Sequence, residues 1–307
     1  MPEPGSGWYI IANPVSGGGR GSSTIASLER VLTNLGIGFE ITFTEATGHA
    51  IELARTATFN GYKKIAIAGG DGTCNEVVNG VLAANDYKPV NTEFAVISSG
   101  RGNDWIRTHG IHTDISRAAA LLRFGKSVRH DAGLVEFQKD GKPEKRAFIN
   151  MSGMAIAADT LERSGRFRRQ NKLVYLNALI RVLLRYKSPV IRFRINGEEH
   201  EKQVLVIITA NCRYAGSGML LAPKADPGDG LLDFTVIDSM SFMQVAGQIP
   251  KLFRGGLENH PSVHLHRGNR FEASSENPVL IEADGELLGT TPCSYSIIPG
   301  AFLLRVP

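Results

Sequence analysis

The chain holds three cysteines among 307 residues: Cys74, Cys212 and Cys293. They are unclustered and odd in number, so neither a disulfide framework nor a cysteine metal site is expected, and a reducing compartment fits best. No uninterrupted apolar run reaches the roughly 20 residues that span a bilayer, and no apolar segment of the signal-peptide kind opens the sequence. The expected location is cytoplasmic, with any membrane contact peripheral. Internal repeats are missing, and low-complexity sequence is confined to short glycine runs, which leaves no repeat architecture to consider. A broad basic excess is missing too. The net charge is +4, and the segment Leu161 to Lys187 alone carries +7, so the remainder sums to −3. A protein that coats nucleic acid through general basicity is thereby excluded.

What is present describes an ordinary globular protein, 42% hydrophobic and 21% charged. Its length favours two domains over one. The most informative stretch runs Gly69-Gly70-Asp71-Gly72-Thr73-Cys74-Asn75-Glu76. It follows a short apolar run, Lys63 to Ala68, that reads as a buried parallel strand, and it leads into a helix predicted over Asn75 to Ala84. Glycines at such a junction let the backbone turn sharply and approach a phosphate where a Cβ would collide. The helix start adds free N–H groups and a partial positive charge. Asp71 would repel a phosphate unless a metal ion or a transferable proton lies between them. Phosphoryl transfer accounts for that combination.

The first 130 residues alternate strand and helix. Strands are predicted at Trp8 to Ala12, Gly38 to Thr44, Lys63 to Ala68 and Phe94 to Ile97. Helices are predicted at Ser22 to Leu35, Gly48 to Phe59, Asn75 to Ala84 and Asp114 to Phe124. Repeated βα units imply a parallel sheet covered on both faces, with ligands beyond the carboxyl ends of its strands. Three polar, glycine-bearing loops follow strand ends: Asn13 to Gly21, Gly69 to Thr73 and Ser98 to Asp104. After Arg129 the pattern changes. Asp140-Gly141 and Asn196-Gly197 sit between strand-like runs and signal hairpins. Further β-like runs cover Val204 to Ala210, Leu232 to Ile237, Val263 to His266, Val279 to Ala283 and Ala301 to Val306. This half is expected to be an antiparallel β-sandwich, carrying helices near Leu173 to Tyr186 and Phe242 to Leu252. The expected boundaries are 1–130 and 131–297, with 298–307 a candidate strand of the first domain.

Five short stretches stand in order along nearly the whole chain: Asn13-Pro14-Val15-Ser16-Gly17, Gly69 to Glu76, Gly102-Asn103-Asp104, Asp229-Gly230-Leu231-Leu232-Asp233 and Asp284-Gly285-Glu286. Together they resemble the diacylglycerol kinase catalytic family, which includes bacterial lipid kinases and sphingosine kinases. The glycine-aspartate stretch alone is shared with NAD kinases and phosphofructokinases. The resemblance implies an α/β nucleotide-binding domain, a β-sandwich lipid-binding domain, and a cleft between them where ATP phosphorylates a hydroxyl.

The resemblance also implies roles for particular residues. Asn13, Pro14, Ser16, Gly17 and Thr44 would contact the nucleotide, and Gly70, Asp71, Gly72, Thr73, Asn75 and Glu76 would surround its phosphates. Asp226, Asp229 and the carbonyl of Leu231 would hold a structural magnesium, an oxygen-only set suited to a hard cation. A second magnesium would arrive with ATP near Asp71 and Asp104. Glu286 would accept the proton of the attacking hydroxyl, with Asp284 and Asp71 close by and Asp131 orienting the group. Several acids in one site would titrate as a cluster. One position departs from the family: Arg101 stands where Gly-Thr-Gly-Asn-Asp usually has threonine. A guanidinium there grips phosphate bidentately or fills the pocket.

The segment Leu161 to Lys187 interleaves Arg163, Arg166, Arg168, Arg169, Lys172, Arg181, Arg185 and Lys187 with leucines and Tyr175. It reads as a basic amphipathic helix with a basic lead-in, either docking on anionic lipid or packing its stripe on the sandwich with its charges solvated. The expected function is an ATP- and magnesium-dependent lipid kinase acting on diacylglycerol or a related lipid alcohol at the membrane surface. Its expected partners are ATP, the lipid and the membrane surface, without nucleic acid; a homodimer is allowed. Two alternatives stay open: an NAD-kinase-like kinase of a soluble alcohol, and a non-catalytic nucleotide or lipid sensor.

Overall fold

The structure is a computed structural model that describes residues 7–19, 21–100, 102–164 and 180–307. The chain divides into two compact units, one comprising residues 1–131 with 298–307 and the other residues 132–297. Arg101 and the greater part of the basic segment, including Arg166, Arg168, Arg169 and Lys172, lie outside the described residues, as does the first half of the helix predicted over Leu173 to Tyr186.

In the first unit, strands β1 (Trp8–Ala12), β2 (Phe39–Phe43), β3 (Lys64–Gly69) and β4 (Glu93–Ser98) alternate with helices α1 (Gly21–Asn34), α2 (His49–Phe59) and α3 (Asp71–Ala83). The strands are parallel in the order β2-β1-β3-β4, and Leu303 and Leu304 add a further parallel strand beside Glu93 and Phe94. Ala66, Ile67 and Ala68 are buried, as expected of a sheet covered on both faces. Two shorter helices follow β4: α4 (Asp104–Thr108) and α5 (Ile115–Phe124). Five residues are too few for α4 to show a helical period in sequence.

Helix α3 starts at Asp71 rather than Asn75. Gly70 is extended (φ −104°, ψ −175°), and the Cys74 amide reaches its carbonyl at 3.0 Å, so the chain enters the helix at once. Helices α2 and α3 pack closely at Gly80, where an added Cβ would lie 2.4 Å from the Ile51 carbonyl oxygen and 2.8 Å from the Ala54 Cβ. Residues 298–307 are anchored by Phe302, which is fully buried, edge-on to Phe94 at 5.1 Å and stacked on His130 at 4.8 Å. His130 accepts from the Trp105 indole at 3.0 Å, and burial holds its imidazole neutral. Arg305 pairs with Glu93 at 2.8 Å.

The second unit is antiparallel apart from its helices. One path of strands runs β13 (Val263–Gly268), β12 (Leu232–Asp238), β9 (Glu198–Ala210), β7 (Met151–Ala155), β15 (Leu280–Ala283) and β16 (Glu286–Val306). A second path leaves β9 through β8 (Val190–Ile195) and β14 (Arg270–Ser274) to β16, which also pairs with β5 (Lys126–Lys139) and through it β6 (Lys142–Phe148). The long strands β9 and β16 join both paths. Phe148, Phe234, Phe271, Ile281 and Tyr295 fill the core between them. The outer face of β9 and β12 is covered by a second cluster that includes Ile156, Val182, Leu183 and Leu257. Helix α6 (Ile156–Ser164) and helix α7 (Phe242–Arg254) lie on that side, with Val245 and Leu252 packed on the cluster.

Three hairpins in this unit share one turn. Asp140-Gly141, Asn196-Gly197 and Asp284-Gly285 all have two consecutive positive φ angles, 50° and 74°, 53° and 86°, 49° and 84°. This is the left-handed pair that a two-residue hairpin loop requires, and Asx-Gly is its preferred sequence.

Replacing Gly80 with alanine is expected to separate α2 from α3 and to destabilise the protein by about 1–3 kcal/mol, the usual cost of overpacking. Denaturant titration of the variant against wild type measures this directly; an unchanged midpoint would show that the two helices can part without loss.

Candidate functional site

In the first unit the three strand-end loops meet. The Asn13 amide hydrogen-bonds the Ala68 carbonyl at 2.8 Å, and its side chain donates to Thr73 Oγ1 at 3.1 Å. Ser16 donates to the Asn13 carbonyl at 2.8 Å and its hydroxyl also meets that of Ser99. Gly17 and Gly18 follow in left-handed conformation, φ 63° and 76°. The Ser99 amide bonds the Gly69 carbonyl at 3.0 Å, so the β3 and β4 ends run side by side. A Cβ on Gly100 would lie 2.8 Å from the Gly70 Cα, so that position needs glycine, and a Cβ on Gly70 would meet the Gly100 Cα at a tight 3.3 Å.

Asp71 is partly buried beside the start of α4. Its carboxylate accepts the Asp104 amide at 3.3 Å and also the amides of Asn103 and Trp105. Burial pushes its carboxyl up, while those amides and Arg107 pull it back. Asp104, the first residue of α4, is buried. The two acids, joined through the Asp104 amide, bring negative charge together that a divalent cation with oxygen ligands would relieve. The Gly72 Cβ direction is open: nothing lies within 4 Å of it. An anion at the start of α3 would find free amides and no side chain in its way.

The remaining expected residues are placed as follows. Thr44 is buried, and its amide bonds the Ala12 carbonyl at 2.9 Å, which puts it beside the end of β1. Pro14 lends its carbonyl to the Ser22 amide at 3.1 Å, closing the start of α1. Glu76 is turned to the Gly48 amide at 3.0 Å and so ties α3 to the start of α2, while Asn75 accepts from Asn79 of the same helix at 3.1 Å. Asp131 is buried, and its Oδ1 accepts the Gly300 amide at 2.6 Å, joining β5 to β16.

In the second unit, Asp284 and Gly285 form the turn between β15 and β16, and Glu286 opens the outgoing strand. Asp284 was expected among the acids around the proton acceptor. It lies two residues from Glu286, and its two oxygens accept the amides of Ile149 at 2.8 Å and of Asn150 and Met151 at 3.0 Å. It holds the turn against the link between β6 and β7. Glu286 remains partly exposed and pairs with Arg146 at 3.0 Å.

Asp226 and Asp229 lie in one turn, each capping an amide two residues on: Gly228 at 3.1 Å and Leu231 at 3.0 Å. The oxygen-only donors suit a hard cation. Arg267 also reaches Asp229, and it bonds Asp233 at 3.3 Å, so the turn already carries a balancing positive charge.

Sequence reading quotes Asn103 without giving it a role, and it misses Ser99, Arg146 and Glu282. Ser99 and Asn103 lie within a loop that the sequence did single out, and the Ser98 hydroxyl donates to the Asn103 side chain. Arg146 and Glu282 carry no local signal, since only strand pairing brings them to the Asp284 turn.

A parallel α/β unit with glycine-rich strand ends, followed by an antiparallel β unit, is the fold class that the structure defines. Residues 7–135 match the diacylglycerol kinase catalytic domain, and residues 150–306 match the YegS C-terminal NAD kinase beta sandwich-like domain. The chain is 25% identical to a diacylglycerol kinase of Staphylococcus saprophyticus over 93% of its own length and 90% of that protein's. It is also 25% identical to a diacylglycerol kinase of Mycobacterium tuberculosis, covering 97% and 94%. A crystal structure of a diacylglycerol kinase from Bacillus anthracis superposes with a TM-score of 0.75 at 19% identity, covering 98% of this chain and 97% of that one, which shows the shared fold. The chain belongs to the diacylglycerol kinase catalytic family. It is accordingly a kinase of the lipid-kinase class, and that class suggests a divalent metal acting with the nucleotide.

Two outcomes are expected here. Gly72→Ala meets no protein atom and removes backbone freedom, so it should leave stability unchanged or raise it by up to about 1 kcal/mol. It should also weaken ATP binding at least tenfold, because its methyl would stand where a phosphate approaches. Calorimetric titration with a non-hydrolysable ATP analogue checks this, and unchanged affinity would move the nucleotide elsewhere. Asp229→Asn should cost about 0.5–1 kcal/mol through the half-exposed Arg267 pair and should abolish any magnesium-dependent rise in Tm. A wild-type Tm that is the same in magnesium and in chelator would leave the Arg267 clamp in place and remove the metal from this turn.

Proposed function

We propose that this chain transfers the γ-phosphoryl group of ATP to the hydroxyl of diacylglycerol or a related lipid alcohol at the membrane surface. The first unit takes the nucleotide and the second takes the lipid. The observation that carries the reading is the start of α3. It has an open approach at Gly72, a glycine pair at Gly70 and Gly100 and a partly buried carboxylate at Asp71, in a chain of the lipid-kinase class. Among the described residues no helix is long and apolar enough to cross a membrane, so a lipid substrate would be met at the surface.

In the proposed reaction the lipid oxygen forms a bond to the γ-phosphorus as the bond to the β-phosphate oxygen breaks. The hydroxyl proton passes to Glu286, the acid at the Asp284 turn whose carboxylate remains partly exposed beside Arg146. Asn13, Ser16, Thr73 and the amides at the start of α3 would hold the phosphates, with Asp71 and Asp104 supplying oxygens for magnesium. When bound with ATP, that ion would neutralise charge developing on the phosphates. A second magnesium would sit at Asp226, Asp229 and the Leu231 carbonyl, where its role is to hold the turn.

Asp71→Asn and Glu286→Gln should each lower phosphoryl transfer by roughly a thousandfold, several kcal/mol of barrier, with thermal unfolding of Glu286→Gln close to wild type. Labelled ATP supplied with an extracted lipid mixture identifies the acceptor, and the variants are then compared on that lipid. Near wild-type turnover of both variants would remove these residues from the chemistry.

A further inference from the structure

Glu282 stands on β15, two residues before the Asp284 turn, and takes no part in the reaction described above. Its Oε2 accepts the Gly285 amide at 3.0 Å, and its carboxyl also takes the Gly153 amide of the neighbouring strand β7. Gly153 is where the side chain needs room: a Cβ there would lie 2.8 Å from Glu282 Oε1 and 2.9 Å from the Ala157 Cβ of α6. The carboxyl thus bridges the hairpin turn to β7. Asp284 ties the same turn to residues 149–151 from the other direction, and the Asp284 amide reaches the Met151 carbonyl at 2.8 Å. Between these two clamps the turn presents Glu286.

We propose that Glu282 is the positioning residue for Glu286, and that it works as an uncharged acid. This rests on the reading of Glu286 as proton acceptor. Two acids clamping one turn from opposite sides would repel if both were ionised. Asp284 has three amide donors to stabilise its charge, whereas Glu282 has two. Burial, with the Asp284 charge adding to it, pushes the Glu282 carboxyl up to about 8.

The groups around it do not compete in that range. From β16, Tyr295 is held well above its ordinary value and the Cys293 thiol is pushed up to about 12, in each case mainly by burial. Glu286 is matched by Arg146 from β6. On α6, Asp159 hydrogen-bonds the Tyr186 hydroxyl, with Glu162 and Arg163 beside it. Strand β7 contributes Met151 to Ala155, which contain no ionisable side chain.

The sign follows from linkage. A carboxyl raised in the folded state binds its proton more tightly folded than unfolded. Stability is therefore full below the unfolded value of 4.5 and falls as pH rises towards about 8.

The test compares wild type with Glu282→Gln and Glu282→Ala, using ATP and a short-chain soluble diacylglycerol from pH 6 to 9.5. Wild-type kcat is expected to fall up to tenfold per pH unit above about 8. Glu282→Gln should lower kcat roughly threefold at pH 7 and lose that alkaline limb, because an amide cannot ionise. Glu282→Ala should lower kcat tenfold or more with KM for ATP little changed, since the nucleotide residues lie in the other unit. Independently of any turnover, the folding equilibrium of wild type relative to Glu282→Gln should weaken by up to tenfold per pH unit between 4.5 and about 8. A Glu282→Gln variant that keeps the wild-type alkaline limb overturns the proposal, and so does a relative stability that is flat over that range. If wild type phosphorylates no lipid, the functional reading fails, and the stability comparison still decides whether Glu282 carries its proton.

Discussion

In each unit, partly buried carboxylates accept backbone amides and fix the loops that carry the candidate residues. Asp71 does this for residues 103–105, Asp284 for residues 149–151 and Glu282 for Gly153 and Gly285. A charge-assisted bond to a main-chain N–H fixes the chain as well as the acid, because the amide belongs to a loop whose course it then determines. The benefit is geometric, and the cost is desolvation of an anion. The cost shows differently in each unit: Asp71 has three amides with Arg107 nearby, whereas at Glu282 burial outweighs two amides and pushes the carboxyl up.

The glycines serve the same end. Gly70 and Gly100 let two strand ends touch, Gly72 leaves the start of α3 open, and Gly153 admits a carboxyl between β7 and the turn. Gly285 supplies both a left-handed conformation and a donated N–H. An acid and a glycine thus form a functional pair at each place, and replacing either member would disturb the other. Arg146 gives Glu286 a counter-charge from a strand remote in sequence.

Much of the first unit was legible because its strands are short apolar runs and its helices are amphipathic. The order of β1 to β4, the three glycine-bearing loops and the acids at 71 and 104 could all be read directly. The start of α3 was placed four residues late, because Gly70 to Thr73 has loop-like composition although the helix begins within it. In the second unit the apolar half of β9 has clear bounds in sequence, whereas its largely solvated half, Glu198 to Gln203, shows only as the strand-like run after Asn196-Gly197. β16 was seen only from Ala301, since Gly289, Pro292, Pro299 and Gly300 interrupt its pattern. The Asp-Gly of the last hairpin was read for its acid alone, although two identical hairpin cues had been recognised upstream. Glu282 and Arg146 escaped notice because nothing in sequence tells which strand will lie beside the turn.

The boundary between the units falls inside two strands, after Asp131 in β5 and before Ile298 in β16. The second unit is therefore an insertion in the first, and this has a consequence for biogenesis. A chain emerging in order from the ribosome has made every helix of the first unit long before Phe302 arrives to fill the space between Phe94 and His130. Closing a disordered loop over residues 132–297 would cost roughly 4–5 kcal/mol in chain entropy. Once β5 and β16 pair within the second unit, as Ser294 with Glu136 at 3.1 Å, most of that loop is already closed. The inserted unit is thus the natural one to fold first, and it then acts as a template that returns the end of the chain to its partners. Until it has done so, the nascent first unit carries an unfilled core and an uncovered β4 edge, the state in which a chaperone would find it.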